Sequence, residues 1–373
     1  MREGWEYKTI EKCTSIEYGT RVVQKRDGGT IYPVYGGGGE TFRMDRYNRE
    51  DCLIIARFAM SPRCVRYVAG KFFLNDSGLS VKSKEELEQA YLNYHLLFFN
   101  DVIYHLGKGA AQRNLDVKAF RQLVIAIPPK STQLSIVSEL DKLNELIRIK
   151  KEQLKDYDAL AQSIFYEMFG DPVENEKGWE VKKLGELCSK IGSGATPRGG
   201  NESYKDEGIS LIRSLNVYNN EFRRKDLAYI DDEQAAALSN VTLLENDVLL
   251  NITGASVARC CIVPSDLLPA RVNQHVCIIR PLDNVLVTIF LNKVLTNISY
   301  QIRLLALARS KGATREALPK SVVDSLLVPL PPLPLQHFFA QKIEQIEQQK
   351  AAIQKTITDL ESLLAARMQY WFD

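Results

Sequence analysis

Residues 133–169 read QLSIVSELDKLNELIRIKKEQLKDYDALAQSIFYEMF, and residues 336–372 repeat their pattern at a constant offset of 203. Apolar residues recur in both stretches at alternating spacings of four and three, which is typical of a helix with a coiled-coil seam. Lys150 interrupts the first seam, and Lys350 and Arg367 interrupt the second. The sequence therefore predicts two long helices with matching apolar stripes.

These two helices are expected to pair with each other. Neither can bury its seam alone, and a two-fold axis relating the two halves of the chain would make them antiparallel. Gly170-Asp171-Pro172 ends the first helix, so residues Gln133–Met168 predict a rod of about 54 Å. The alternative is that each helix packs only on its own neighbouring module.

The duplication extends beyond the helices. Lys108-Gly109-Ala110 returns as Lys311-Gly312-Ala313, and Gly4-Trp5-Glu6 has a weaker echo in Gly178-Trp179-Glu180. Such a repeat predicts two similar modules that do the same work on different objects. The pattern divides the chain into a module, a spacer helix, a second module and a second spacer helix, at residues 1–130, 131–170, 171–333 and 334–373.

The modules are predicted to be mixed α/β. The expected fold is thus two similar globular domains separated by two long helices that form an antiparallel intramolecular coiled coil, with a pseudo-two-fold internal repeat. Predicted strands are Leu53–Met60, Val65–Leu74, Val248–Asn251, Arg259–Val263 and Val272–Arg280, and predicted helices are Lys84–Asn100 and Val285–Leu307.

Composition predicts a cytoplasmic protein outside the membrane. Hydrophobic residues make up 45% and charged residues 25% of the chain, which is ordinary for a soluble globular protein. The longest apolar stretch contains Lys293 and Arg303, which a membrane span would tolerate poorly. The seven cysteines include no C-x-x-C pair, which favours a reduced compartment and no thiolate metal site.

The motifs of common catalytic classes are missing. The sequence has no G-x-x-x-x-G-K-[ST] loop, no G-x-S-x-G elbow and no [DN]-P-P-[YF] signature. The four histidines are scattered without metal-ligand spacing. We therefore expect no cofactor, no metal and no catalysis. The alternative is a degenerate nuclease that uses Asp171, Glu180 and Lys182, although such acidic patterns are common by chance.

Basic charge is concentrated in the two modules, whereas the helical segments are acidic. Residues 20–71 contain ten Arg or Lys interleaved with aromatic residues and glycine loops, which suits contact with phosphates and guanine edges. The alternative for any single arginine is a solvated surface charge. The candidate contact residues are Tyr35, Arg43, Arg46, Arg57, Arg63 and Lys108 in the first module and Thr196, Arg198, Lys205, Arg213, Asn216, Arg259, Arg271, Lys311 and Arg315 in the second.

Several motifs of the second half occur in a characteristic order. They are Trp179 followed by Leu184-Gly185-Glu186, the loop Gly192–Pro197, the stretch Asn246–Leu250 with Thr253–Ser256, the pair Asn273-Gln274, and Gly312–Arg315 with Leu330–Gln336 leading into the last helix. With these motifs in a tandem duplicate, the chain resembles the DNA-specificity subunit of type I restriction-modification systems. The first half matches more loosely, with Ala59-Met60-Ser61 in place of Gly254-Ala255-Ser256.

The resemblance implies two target-recognition domains, each reading one half of a split double-stranded DNA site. It also implies a chain that is inactive alone. Two copies of an adenine-N6 methyltransferase subunit and the motor/endonuclease subunits would be its partners. The remaining alternative is a coiled-coil scaffold that binds only proteins.

Overall fold

The computed structural model describes residues 2–109, 112–309 and 316–373. The chain divides into two units, Met1–Glu152 with Gln354–Asp373, and Gln153–Ile353. We call them unit 1 and unit 2. Two 40-residue helices, Lys130–Phe169 and Leu333–Phe372, cross the boundary, so each unit holds one module and a segment of each helix.

In unit 1, a six-stranded sheet has the order β2-β7-β5-β6-β3-β4, and β1 pairs with β10. Its core lies between this sheet, α3 and the long helices, and includes Leu53, Leu79, Tyr91 and Ile136. The strands are β1 Glu6–Thr9, β2 Thr14–Tyr18, β3 Tyr32–Gly36, β4 Gly39–Met44, β5 Arg49–Ala56, β6 Val65–Leu74, β7 Gly78–Ser83, β8 Gly107–Lys108, β9 Asn114–Leu115 and β10 Val124–Ile127. The helices are α1 Ile10–Cys13, α2 Gln24–Asp27, α3 Gln89–Phe98, α4 Asn100–His105, α5 Val117–Gln122 and α6 Lys130–Phe169.

Unit 2 contains a four-stranded sheet of order β12-β20-β17-β18 and a three-stranded sheet of order β16-β13-β19. Its strands are β11 Glu180–Lys183, β12 Cys188–Ser193, β13 Ile209–Ile212, β14 Val217–Tyr218, β15 Glu221–Phe222, β16 Ala228–Ile230, β17 Val248–Asn251, β18 Cys260–Ile262, β19 Ala270–Val272, β20 Val276–Pro281 and β21 Leu327–Leu330. Its helices are α7 Asp232–Ala237, α8 Thr288–Leu295, α9 Ile298–Arg309, α10 Lys320–Asp324 and α11 Leu333–Phe372.

The four-stranded sheet of unit 2 is buried on both faces. Adjacent strand residues point to opposite faces, and Cys260 lies in the core beside α8 whereas Cys261 lies in the core shared with the three-stranded sheet. Both side chains are buried, and burial raises the pKa of Cys261 to about 12. These cysteines are inert packing residues.

The long helices run antiparallel within unit 1, as predicted. The Arg367 guanidinium and the Trp371 indole both donate to the Glu139 carboxylate, with a Trp371 Nε1 to Glu139 Oε2 distance of 3.1 Å. Twelve residues further along α6, Lys151 pairs with Glu361 at 2.7 Å. Because the residue number rises along one helix and falls along the other, the pairing is antiparallel.

Unit 2 shows the same orientation. Lys350, which interrupts the second seam, forms an ion pair of 2.7 Å with Asp158, whereas Phe165 and Phe169 pack edge-on against Phe339. Phe339 is also buried in the core of unit 2, in the same cluster as Phe290 of α8. The helices therefore pack on each other and on their module, so the alternative of packing on the module alone is wrong.

Some predicted elements have different bounds. The strand predicted at Val65–Leu74 and that at Val248–Asn251 are confirmed. The strand predicted at Leu53–Met60 runs instead over Arg49–Ala56, because Ala59 has a φ of +49° that no strand accommodates. Arg259–Val263 shortens to Cys260–Ile262.

Two predicted elements are split by asparagine turns. Val272–Arg280 becomes β19 and β20, because the Asn273 carboxamide oxygen accepts the backbone N–H of His275 and turns the chain. Val285–Leu307 becomes α8 and α9, because the Asn297 carboxamide accepts the backbone N–H of Ser299 and starts a new helix. Lys84–Asn100 begins late, at Gln89, and continues as α4.

The end of the first long helix is as predicted. Gly170 adopts a φ of +74°, which favours glycine, directly after the last helical residue, Phe169. Among the helices of the described residues, none is long and apolar enough to cross a membrane.

Candidate nucleic-acid interface

The loops of unit 2 converge at one end of its two sheets. The backbone N–H of Gly194 donates to Val276 at 2.9 Å, and that of Ala195 donates to Val272 at 3.0 Å. A side chain at Gly194 would place its Cβ 2.1 Å from the Val272 carbonyl oxygen, so only glycine permits this approach. The loop after β12 is thereby fixed against the turn between β19 and β20.

The loop after β13 reaches the same end. The Asn273 backbone N–H donates to Ile212 at 3.0 Å, and the Asn251 carboxamide donates to the Ser214 carbonyl at 2.8 Å. These contacts join the ends of β13, β19 and β17. Thr196 and Arg213 directly follow the bonded residues Ala195 and Ile212, and the Arg259 carbonyl accepts the backbone N–H of Asn251 at 2.8 Å. Asn216 is joined to them because its carboxamide accepts the backbone N–H of Arg213 at 3.1 Å.

Two further candidates, Lys311 and Arg315, lie outside the described residues. The segment that follows them contacts the same end, since Glu316 accepts the backbone N–H of Gly254 at 3.0 Å and Ala317 bridges to Thr253.

The loops at this end of the two sheets form what we call the strand-end surface of unit 2. Arginine side chains there stack on aromatic rings. The guanidinium carbons of Arg223 and Arg259 lie 3.6 and 4.4 Å from the centroid of the Tyr218 ring. Arg213 lies 5.4 Å from the Tyr204 ring centroid. Such stacking restricts the conformational freedom of a guanidinium without using its N–H donors. The sequence interpretation missed both tyrosines, because the short β14–β15 hairpin that carries Tyr218 leaves no recognisable alternation.

Three buried polar atoms at this end have no hydrogen-bond partner among the described residues. They are Thr196 Oγ1, Arg213 Nε and the Asn251 carboxamide oxygen. Buried polar groups are normally paired, so these three atoms are open to a hydrogen bond with water or with a ligand.

Two predicted contact residues are buried and serve the fold. Asn216 is fully buried, and its carboxamide donates to the carbonyls of Arg223 and Lys225 at 2.8 and 3.1 Å. Arg271 is 8% exposed and donates to the Ala235 carbonyl at 3.1 Å, and burial lowers its pKa. Asn216 and Arg271 are therefore not exposed contact residues as predicted, and their hydrogen bonds instead shape the loops.

Lys205 lies away from the convergent loops. It bridges to Tyr229 in β16 and forms an ion pair of 3.2 Å with Asp231, toward the opposite end of β13. Arg198 is exposed on the loop after β12.

Unit 1 has a comparable group around Arg57. The guanidinium carbon of Arg57 lies 4.9 Å from the Tyr18 ring centroid and 4.5 Å from that of Phe58. The Arg57 carbonyl accepts the backbone N–H of Leu115, and the Arg113 carbonyl accepts the backbone N–H of Met60. The loops that follow β5 and β8 therefore meet here.

The glycine hairpin between β3 and β4 adjoins this group. Arg66 Nη2 donates to the carbonyls of Gly37 and Arg63 at 3.2 and 2.6 Å. Arg63 itself is exposed. Lys108 is also exposed and forms an ion pair of 2.6 Å with Asp116, which holds the pKa of that carboxyl below its usual range.

Three other candidates of unit 1 are distributed along the β3–β4 hairpin. Tyr35 is half-buried and packs edge-on against Phe72 at a centroid distance of 5.5 Å. Arg43 donates to the Ile31 carbonyl at 2.9 Å, and Arg46 stacks on Phe73. Arg43 and Arg46 occupy the end of the hairpin opposite its glycine turn.

The residues of the nuclease hypothesis have structural partners. The Asp171 carboxylate accepts the backbone N–H of Val173 and the hydroxyl of Ser299, so it organises the turn after α6. Glu180 pairs with Lys182 at 3.3 Å on the surface of β11. In the described part of the chain, no group of three His, Cys, Asp or Glu side chains is arranged to hold a metal ion.

A duplicated module with convergent basic loops on an antiparallel helix pair defines a class of nucleic-acid-reading proteins. The chain matches the family model "Type I restriction modification DNA specificity domain" over residues 3–156 and 176–362. The chain belongs to this family.

Curated relatives carry the same designation. A putative type I restriction enzyme MjaX specificity subunit of Methanocaldococcus jannaschii is 24% identical over 71% of this chain and 63% of its own length. The type I restriction enzyme EcoBI specificity subunit of Escherichia coli is 26% identical over 65% of this chain and 46% of its own length. The aligned part of this chain thus spans less than two thirds of these relatives.

Solved structures share the fold along the whole chain. The S subunit of a type I restriction-modification system from M. genitalium is 17% identical with a TM-score of 0.56, covering 99% of this chain and 96% of that chain. A chain from a structural study of complex assembly and conformational transition in the type I R-M system is 19% identical with a TM-score of 0.59, covering 99% and 97%. The predicted architecture of two similar domains and two long helices is confirmed.

Proposed function

We propose that this chain is the sequence-reading subunit of a type I restriction-modification complex. The module of residues 1–130 reads one half of a bipartite DNA site, and that of residues 171–333 reads the other. Because the two modules carry different loop residues, the site is asymmetric. The spacer helices are residues 131–170 and 334–373.

The observation that carries this proposal is the convergent loop end of unit 2. It combines stacked arginines with unpaired buried polar atoms, namely Thr196 Oγ1 and Arg213 Nε. Protein–DNA interfaces need arginine donors for base edges and exposed cations for phosphates. The Arg57 group supplies the same chemistry in unit 1.

The exposed cations without a rigid aromatic contact are proposed to contact phosphates. Arg63, Lys108 and Arg198 belong to this group. Arg43, Arg46 and Lys205 extend the basic surface of their modules, and Lys311 and Arg315 are proposed contacts of the segment next to Gly254. Phosphate contacts set affinity and salt dependence, and base contacts set sequence preference.

The proposed partners are two copies of an adenine-N6 methyltransferase subunit and motor/endonuclease subunits, in the cytoplasm. The chain itself is proposed to be non-catalytic and to need no cofactor. Support comes from the exposed apolar side chains of the two long helices, which the pairing of α6 with α11 does not cover. These side chains are Leu134, Leu146, Leu160, Phe338 and Leu363.

The helix pair is proposed to act as a ruler that sets the spacing of the half-sites. Half-sites with centres about 10 bp apart face the same side of the duplex, which suits two modules joined by a pair of helices. The pairing of Lys350 with Asp158 and of Arg367 with Glu139 gives the connector a single register.

The test is a genome-wide map of methylated adenines in cells that express the chain with its cognate methyltransferase, compared with cells that express the methyltransferase alone. A split, asymmetric motif that requires the chain is the expected result. Exchanging residues 171–333 for the module of a related chain should change one half-site only, and a change in both halves would contradict modular reading.

A protein-binding scaffold is the second candidate function, favoured only by the exposed apolar residues of the helices. If the complex assembles and no chain-dependent motif is detected, the scaffold function replaces the proposed one. Salt-sensitive binding of duplex DNA by the assembled complex would count against the scaffold.

A further inference from the structure

We infer that Arg259 is the residue with which unit 2 reads a guanine, and that Tyr218 positions it. The inference rests on the proposed DNA-reading function and assigns a base and a residue within it. The arginines of unit 2 differ in whether their N–H donors are bound to acceptors within the protein.

Three other arginines of unit 2 are already bound within the protein. Arg223 donates through Nε and Nη2 to the Glu221 carboxylate at 2.9 and 3.0 Å. Arg213 donates to the Asp226 carbonyl, and Arg271 donates to that of Ala235. Their guanidinium groups stabilise the loops of unit 2 and are only partly available to a ligand.

Arg259 is half-buried, and its guanidinium, which stacks on Tyr218, has no hydrogen-bond acceptor among the described residues. Its guanidinium carbon lies 4.4 Å from the Tyr218 ring centroid. An arginine that is held by stacking loses little further conformational freedom on binding. Its fork of N–H donors then matches the O6 and N7 acceptors of guanine in the major groove.

The Tyr218 platform is rigid because its hairpin is fastened to the residue after Arg259. The Asn220 backbone N–H donates to the Cys260 carbonyl at 2.9 Å, and the Cys260 N–H donates to the Asn219 carboxamide at 3.0 Å. Tyr218 and Arg259 are therefore placed relative to each other by backbone hydrogen bonds.

Side chains from the following helices hold the same hairpin and loop. Asn292 donates to the Asn220 carboxamide at 2.8 Å, and Gln301 donates to the Ala258 carbonyl at 2.8 Å. Ala258 has a φ of +71°, which a hydrogen-bonded loop has to enforce. The surroundings therefore fix where the Arg259 side chain starts.

Local charge also favours an electron-rich partner. Two guanidinium groups share the Tyr218 ring, and the Glu221 carboxylate compensates only one of them. The uncompensated positive charge at Arg259 attracts either a guanine edge or a phosphate. Geometry favours the base, because a stacked, half-buried arginine offers a directed fork, whereas a phosphate is served as well by a mobile, exposed cation.

The experiment compares methylated-adenine maps for the full chain and for Arg259→Lys and Arg259→Gln, each expressed with the cognate methyltransferase. One guanine in one half-site is expected to lose about 5- to 150-fold of its preference over other bases. The other half-site should be unchanged. Thermal unfolding of each purified complex checks that the variants fold.

Matched variants separate reading from positioning. Arg223 lies against the same ring but is bound to Glu221. The Arg223→Lys variant should therefore keep the guanine preference. Tyr218→Phe keeps the platform and should also keep it, whereas Tyr218→Leu should broaden the same position that Arg259→Lys broadens.

Failure of the inference and failure of the proposed function give different experimental results. If the wild-type chain directs no motif, the proposed function fails. If it directs a motif that Arg259→Lys leaves unchanged, the inference fails alone. A uniform loss of affinity for all duplex sequences, with the salt slope reduced by about 0.9, would make Arg259 a phosphate contact and overturn the inference.

Discussion

Gln133 and Gln336, 203 residues apart, make the same set of hydrogen bonds within their own units. The Gln133 carboxamide donates to the carbonyls of Pro128 and Glu86 and accepts the backbone N–H of Glu88. Gln336 donates to Pro331 and Val285 and accepts from Val287. Both are fully buried. Each glutamine therefore fastens the first turn of a long helix to its module.

We predict that Gln133→Leu and Gln336→Leu each lower the free energy of unfolding of their own unit by about 2–4 kcal/mol, because each strands buried backbone groups. Hydrogen exchange should increase at residues 130–140 in the first variant and at 333–343 in the second. Gln341→Leu, on the exposed face of α11, is the control. Equal exchange in all three proteins would contradict this role.

A second prediction concerns the pH dependence of unit 1. His95 is buried against Phe99 and Phe372, and neither ring nitrogen has a partner among the described residues. Burial lowers the pKa of His95 to about 3. The folded state therefore keeps the ring neutral, whereas the unfolded chain takes up a proton below about pH 6.5.

Stability is accordingly expected to fall as the pH decreases from about 6.5 toward 3, with a slope of up to about 1.4 kcal/mol per pH unit from this residue. Urea unfolding followed by tryptophan fluorescence at several pH values measures it. His95→Leu should flatten the profile, and the exposed His105→Gln should not. An unchanged profile in His95→Leu would refute the assignment.

The third prediction concerns Asp247, one of the motif residues that carry the family resemblance. Its carboxylate is fully buried and receives Nε and Nη2 of Arg280 at 2.7 and 2.8 Å. We expect Asp247→Ala to destabilise unit 2 by about 3–5 kcal/mol, because it removes the counter-charge of a half-buried guanidinium and leaves it only the Thr242 carbonyl. Asp266→Ala, which removes an exposed partner of Arg224, should cost less than about 1 kcal/mol. Similar losses of stability in both variants would show that the buried Asp247–Arg280 pair contributes no more than an exposed one.

The fourth prediction tests the ruler. Inserting one heptad in each long helix keeps the seam in phase and lengthens the pair by about 10.5 Å. The nonspecific gap of the methylated motif should grow by about 3 bp, at 3.4 Å per base pair. Insertion in one helix only should abolish the motif by breaking the Arg367–Glu139 and Lys350–Asp158 register. A motif with its original gap in the double insertion would end the ruler model.

Much of the architecture could be predicted because it depends on repeated local signals. The α6 and α11 seams keep the heptad spacing with few polar interruptions, so the presence and mutual pairing of the two helices follow from helix periodicity. The helix stop at Gly170 follows from backbone sterics. In contrast, the breaks at Asn273 and Asn297 depend on side chains that turn back onto nearby backbone, which apolar periodicity does not register.

The candidate interface was predictable in composition only. The criteria that predict Arg57, Arg213 and Arg259 as contact residues of the two modules also predict Asn216 and Arg271, which are buried. Exposure of a loop side chain depends on which strand ends lie beside it, and that is a long-range property.

The sequence by itself determined the tandem repeat, the two long helices and the family, because each is written in spacings along one chain. Tertiary structure alone decided that β12, β13, β17 and β19 end at one place, that Tyr218 meets Arg223 and Arg259, and that Asn216 turns inward. The physical reason is that heptads and turns are local, whereas a guanidinium stays free or becomes bound according to acceptors contributed by distant residues.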